Sequence, residues 1–259
     1  MQKIDLKATW SHPPDSLELQ PDQVDVWRIP LDLPTASVKS LESVLSRDES
    51  ERAARFRFPE GKDRYIIAHG CLRAILAHYL RCEPDQLTFS NNEYGKPALN
   101  GYDLEFNLSH SGDFALVAVS QGRKVGVDVE RIRSDVELER IAGRYFSKSE
   151  VTELMALAAE QRAAGFFNCW ARKEAYIKAH GLGLSLPLDS FDVSLAPDKP
   201  AILHATRPDE QEAARWRLLS LEVAPGYAAA VAAEGVALIP SKDANLEFKL
   251  WDWTPVITQ

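Results

Sequence analysis

The chain has 259 residues, 45% hydrophobic and 26% charged, with 38 acidic against 30 basic side chains and a formal net charge of −8. That length holds one large domain or two small ones around a real core. The acidic balance argues against a nucleic-acid partner, and no apolar run approaches the roughly 20 residues that span a bilayer. The opening MQKIDLKATW lacks a signal-peptide apolar stretch. Cys71, Cys82 and Cys169 form no metal-ligand spacing, which fits reduced thiols in a cytoplasmic protein.

Residues 11–35 are rich in Pro and Asp and read as irregular, apart from a strand at VDVWRIPL. Ser46 and Glu49 have capping-box spacing and predict a helix start. GKDRYIIAHGCLRAILAHYL, residues 61–80, places apolar side chains at helical intervals, and Pro84 blocks its extension. The period then changes to that of strands in LTFS, LEFNLSHS, FALVAVS and KVGVDVERI. A second capping box, Ser147 to Glu150, opens a helix through SKSEVTELMALAAEQRAAGFF. FNCWARKEAYIKAHGLGL follows as a helix that stops at Gly181 and Gly183. The remaining segments, SFDVSLA, AILHA, WRLLSLEVA, YAAAVAAE and LEFKLWDW, read as strands.

The chain also echoes itself. FNLSHSGDFALVAVS and LLSLEVAPGYAAAVAAE share a strand–Gly–aromatic–strand layout, and each follows a long helix. This suggests two α+β halves that meet near Gly122–Gly126, although any two hairpins look alike.

Four segments could carry chemistry. In VGVDVE, Val125, Val127 and Val129 point to one face of a strand, and Asp128 and Glu130 to the other. Two carboxylates roughly 6–7 Å apart suit a hard divalent cation, but equally the solvated face of an edge strand. Trp170, Glu174 and Lys178 are spaced i, i+4, i+8 and form one helix stripe, with Lys173 beside it. Glu174–Lys178 is either a surface ion pair worth a few tenths of a kcal/mol or a proton-accepting or metal-binding acid beside a charge-stabilising ammonium. Ser109 and His110 in NLSHS sit at a strand end, where they suit a phosphate as well as a hydrolase. Gly95 and Pro97 fix a turn that presents Lys96.

Taken in order, YGKP, FNLSHSG, VGVDVE, FSKSE and WARKEAYIKAHGLGLSLPLDSF resemble the 4′-phosphopantetheinyl transferases, in particular the pseudodimeric Sfp type. The match is continuous over about residues 90–193 and looser elsewhere. The resemblance implies an α+β fold of two similar halves, 1–124 and 125–259, with coenzyme A in the cleft between them. It implies a holo-carrier-protein synthase activity: the phosphopantetheine arm of coenzyme A moves to a serine of an apo acyl or peptidyl carrier protein, and adenosine 3′,5′-bisphosphate leaves. By the same resemblance, Asp128, Glu130 and Glu174 surround Mg²⁺, with Mn²⁺ as an alternative. Arg52, Arg64, Lys96, Ser109, His110, Asp128 and Lys178 bind coenzyme A. Glu174 and Lys178 are the catalytic pair, with Trp170 as support. The sequence departs from the Sfp pattern at Glu49, where a basic side chain is expected.

Two halves in one chain supply a cleft without a second subunit, so a monomer is expected. A metal-dependent phosphodiesterase or nuclease is the main rival, and the net charge argues against it. A silent coenzyme A-binding module would have no need of the intact acidic set. Because carriers of this family are usually acidic, docking needs a local basic or apolar patch. Arg140, Arg144 and Lys148 near Tyr145 and Phe146 are candidates, with a solvated helix face as the alternative.

Overall fold

The computed structural model describes residues 9–14, 16–207, 209–235 and 246–254. Most of the N-terminal segment read for a signal peptide lies outside them. The first half runs β1 (Gln23–Pro30), α1 (Thr35–Glu42), α2 (Arg47–Ala54), α3 (Pro59–Leu80), β2 (Phe89–Asn91), β3 (Pro97–Leu99), β4 (Leu104–Ser111) and β5 (Phe114–Gln121). The second runs β6 (Val125–Arg131), α4 (Leu138–Tyr145), α5 (Lys148–Ala156), α6 (Ala159–His180), β7 (Phe191–Val193), β8 (Leu203–Thr206), β9 (Trp216–Ser220) and β10 (Tyr227–Glu234). A last strand, β11 (Glu247–Asp252), follows.

The two halves repeat one plan: a strand, two short helices, a 22-residue helix, a small hairpin and a longer hairpin. Each half builds an antiparallel sheet in the same order, β1-β5-β4 and β6-β10-β9. β11 crosses back and pairs parallel with β1, so the last strand of the 125–259 segment completes the first sheet. Among the described residues no helix is long and apolar enough to cross a membrane.

Both capping boxes form: Ser46 Oγ accepts from Glu49 N–H, and Ser147 Oγ accepts from Glu150 N–H. Each capping glutamate is also an anchor. Glu49 meets Arg73 Nε at 2.7 Å, and Glu150 meets Lys173 Nζ at 2.8 Å. Arg73 and Lys173 each lie fourteen residues beyond the first residue of their long helix. Each cation also donates to two carbonyls of the segment that follows, Pro84 and Leu87 in one half, Leu188 and Phe191 in the other. The duplication therefore extends to the internal ion pair that fastens each long helix.

The predicted helix over 147–167 divides. α5 ends at Ala156, Leu157 and Ala158 are extended, and α6 runs unbroken from Ala159 to His180. No Gly or Pro marks the break. The two-residue gap lets Leu157 lie on Gly165, where an added Cβ would meet Leu157 Cδ1 at 2.5 Å. Arg162 then donates to the freed carbonyls of Met155 and Leu157. Helix α1, which begins where the stretch read as irregular ends and was not assigned from sequence, buries only Val38 and Leu41 and has no side-chain cap, so its pattern is too thin to show.

Three apolar clusters result. One lies under α3 in the first half and one under α6 in the second. The third joins the halves, packing Val24, Val26, Leu116 and Ala118 against Val125, Val127 and Val129. The thiols of Cys71 and Cys169 are buried and free, and burial pushes both upward in pKa.

Candidate active site

β4 and β6 belong to separate sheets, yet side chains join them at a constant offset. Asn107 Oδ1 accepts from Val127 N–H at 2.9 Å, Ser109 Oγ from Val129 N–H at 3.4 Å, and Ser111 Oγ from Arg131 N–H at 3.1 Å. These three residues alternate along β4 and therefore share a face. They supply the acceptors that the outer edge of β6 would otherwise lack. The NLSHS motif is thus a hydrogen-bonding seam between the halves.

On the other side, β6 presses against α6. A Cβ at Gly126 would lie 2.3 Å from both Ala175 O and Ala179 N, so only glycine allows this approach. The valines of β6 face the inter-half core, as their spacing predicts. Asp128 faces α6 and is 3% exposed, which rules out the solvated edge-strand reading.

Asp128 Oδ1 accepts from Ser109 Oγ at 2.8 Å and lies 2.5 Å from Lys178 Nζ. Lys178 also donates to Ser109 Oγ at 3.1 Å. Asp128 Oδ2 is buried and has no hydrogen-bond partner. Ser111 Oγ donates to Glu130 Oε2 at 3.2 Å. Burial raises the Asp128 carboxyl against the pull of Lys178 and Ser109. Burial first, then the Asp128 charge, raises Glu130. Glu174 is pushed up to about 7 by burial, then by Asp128 and Glu130, with Lys178 opposing. Three carboxyls thus share a region that disfavours their charge, and one buried oxygen is unmatched. As positioned, no three of the described His, Cys, Asp or Glu side chains stand together at metal-ligand spacing, and Lys178 occupies one Asp128 oxygen.

His110 points to the opposite side of β4, toward α2 and α3. It is open at its edge but surrounded by protein; burial, then the charges of His69, Lys178, Arg52 and Arg64, hold its pKa down. Arg52 lies over the Tyr65 ring at 5.6 Å, and Tyr65 stacks on His69 at 4.1 Å. Arg64 pairs with Glu60 and Asp113. This basic wall suits a phosphate, and His69 is a member that sequence reasoning missed. Glu49, at the position where a base was expected, pairs with Arg73 and lies beside His69 of that wall. Burial alone would raise its carboxyl, but His69, the Ser46 N–H and Arg73 bring it to about 2.

Lys96 stands apart from that wall. Its ammonium reaches Glu105 Oε2 at 3.3 Å, Val125 O at 3.3 Å and Ala179 O at 3.2 Å. Trp170 stacks on Phe166 and meets Tyr145 and Phe146 edge-on or tilted, so it braces α4 against α6. Phe146 is 5% exposed and belongs to that core, which removes it from the candidate docking patch. Arg140, Arg144 and Lys148 are exposed, with Arg144 over the Tyr145 ring. Lys173, flanking the stripe in sequence, is fully buried against Glu150 and is structural.

Known proteins resemble this chain over most of its length. The family model "4′-phosphopantetheinyl transferase superfamily" matches residues 124–232. The model "4′-phosphopantetheinyl transferase, N-terminal" matches residues 34–122. The chain is 41% identical to the 4′-phosphopantetheinyl transferase HetI of Nostoc sp. over 91% of its own length and 98% of that protein's. It is 34% identical to the 4′-phosphopantetheinyl transferase Sfp of Bacillus subtilis over 74% of its length and 83% of that protein's. It is 32% identical to a putative 4′-phosphopantetheinyl transferase of Synechocystis sp. over 76% and 79%. Duplicated α+β halves and relatives matched over most of the chain lead to one family: the protein belongs to the 4′-phosphopantetheinyl transferase superfamily.

Proposed function

We propose that this chain is an Sfp-type, monomeric, cytoplasmic enzyme that moves the phosphopantetheine arm of coenzyme A onto a serine hydroxyl of an apo carrier protein. The observation that carries this reading is the Asp128–Ser109–Lys178 cluster, set between Glu130, Glu174 and the basic wall. The activity is that of a holo-carrier-protein synthase in the broad sense, since HetI and Sfp match most of the chain.

The unmatched Asp128 Oδ2 and the three raised carboxyls fit a divalent cation held by Asp128, Glu130 and Glu174. When bound, Mg²⁺ or Mn²⁺ would supply charge neutralisation to the pyrophosphate. The chain's own groups do the rest. Arg52, Arg64 and His110 bind the phosphate charge of coenzyme A, and Ser109, whose hydroxyl donates to Asp128, holds that carboxylate and Lys178 toward it from the seam. Glu174 takes the proton of the carrier serine as its oxygen forms the new bond to phosphorus. The bond to adenosine 3′,5′-bisphosphate breaks, and Lys178 stabilises the departing charge. Trp170 keeps α6 in place, and Arg140, Arg144 and Lys148 offer a basic face to an acidic carrier.

The test is direct. Incubation with coenzyme A, MgCl₂ and an apo carrier should raise the carrier's intact mass by one phosphopantetheine arm. An unchanged mass across fatty-acid, polyketide and peptide-synthetase carriers would reject the reading.

A further inference from the structure

The α6 helix carries both Glu174 and Lys178, and its last turn is held by a loop of the other half. In the first half's loop between β2 and β3, Asn92 Oδ1 accepts from Tyr94 N–H at 2.9 Å and Lys96 N–H at 2.8 Å. The turn is therefore fixed by its own side chain. From this turn Asn92 Nδ2 donates to Gly181 O at 2.9 Å, and Lys96 Nζ donates to Ala179 O. Both carbonyls lie at the C-terminal end of α6, where carbonyls lack helical partners and the dipole favours a cation. Gly181 is left-handed at φ 81°, and a Cβ there would meet Lys96 Cδ at 3.2 Å and Asn92 Nδ2 at 3.4 Å. The loop and the helix end are thus built against each other.

Lys96 also reaches the other wall of the site. It donates to Val125 O, the first residue of β6 and three residues before Asp128. Its third partner, Glu105, lies on β4, the strand that carries Ser109. One ammonium, 14% exposed, therefore ties the three elements that bear Ser109, Asp128 and Lys178. The equivalent end of α3 closes on its own backbone, with Arg81 left-handed and the Cys82 N–H donating to Ala77 O.

We propose that Asn92 and Lys96 are positioning residues that lock the last turn of α6 to the first half, and that Lys96 acts through this strut rather than as a phosphate ligand. The proposal rests on the transferase reading for its kinetic arm only. Asn92 separates the alternatives, because it carries no charge for a phosphate yet holds the same helix end.

The experiment compares Lys96→Met, Asn92→Ala and the milder Asn92→Ser with wild type, well below their melting temperatures. Transfer is followed by carrier mass gain, and amide hydrogen exchange is read over residues 178–183. A strut predicts that Lys96→Met and Asn92→Ala each lower kcat about 10-fold while KM for coenzyme A moves less than about 2-fold. It predicts less than additive loss in the double variant and faster exchange at 178–183 in every variant. A KM raised about 10-fold by Lys96→Met at unchanged kcat, with both Asn92 variants silent, would overturn it. If wild type transfers nothing, the functional reading fails alone. The exchange arm still decides the strut, with faster exchange supporting it and unchanged exchange rejecting it.

Discussion

Lys178 Nζ lies 2.5 Å from Asp128 Oδ1, while the other oxygen of the same carboxylate is buried without a partner. The carboxylate is thus half matched. Asp128→Asn keeps its shape and its bond to Ser109 but removes the charge. Transfer to an apo carrier should fall on the order of 100-fold, with the thermal melt still cooperative. A variant with the wild-type rate would remove Asp128 from the site.

Glu174 gives a pH signature. Its carboxyl stands at about 7 in the fold, against 4.5 for a free side chain. A raised acid favours the folded state while protonated, so its contribution is full below about pH 4.5 and lost as pH rises through 7. The span is about 3 kcal/mol at most, less what solvent screens. With a chelator present, Glu174→Gln should melt like wild type near about pH 5 and above it near about pH 8. Parallel melting curves at both pH values would show that the burial and repulsion described here do not act on Glu174. The same variant should lose transfer at all pH values.

The Glu150–Lys173 pair is 2% and 0% exposed on its two sides. Lys173→Met leaves Glu150 charged in the core and should cost about 3–5 kcal/mol by urea denaturation. The double variant Glu150→Gln/Lys173→Met should recover part of that loss, because no charge is then stranded. A single-variant cost below about 1 kcal/mol would contradict the anchor.

Gly126→Ala tests the approach of β6 to α6. Its Cβ meets backbone atoms, which cannot rotate aside. We expect a loss of about 1–3 kcal/mol or more, and a fall in transfer because Asp128 and Lys178 separate. Unchanged urea midpoint and rate would mean that the interface yields without cost.

Much of this was legible from residues alone. Valine alternation around Asp128 and Glu130 gave the strand and its two faces, and both capping boxes gave their helix starts. The Gly turns and paired hairpins pointed to duplication. What stayed hidden depends on distant partners. Nothing local distinguishes Lys173, buried on Glu150, from Lys178 five residues later, partly open to the cleft. The α5–α6 break needs Gly165 as a seat for Leu157. The alternate spacing of Asn107, Ser109 and Ser111 was readable as a face, but its target, the edge of β6, lies in the other half.

Superposing the two repeats by helix position and strand register sets Trp27 and Ile29 against Asp128 and Glu130, and Ala74 and His78 against Glu174 and Lys178. The first half therefore lacks the acids, and one chain offers one site.

The seam has another effect. A strand edge with bare N–H groups is a template for pairing with a foreign strand, and chains that leave one open risk edge-to-edge aggregation. β6 avoids this because polar side chains of β4 occupy its N–H groups at Val127, Val129 and Arg131. Ser109 and Ser111, which orient the carboxylates, are thereby also the edge guards of the second sheet. Substituting either would change the chemistry of the carboxylates and remove an acceptor from that edge at the same stroke.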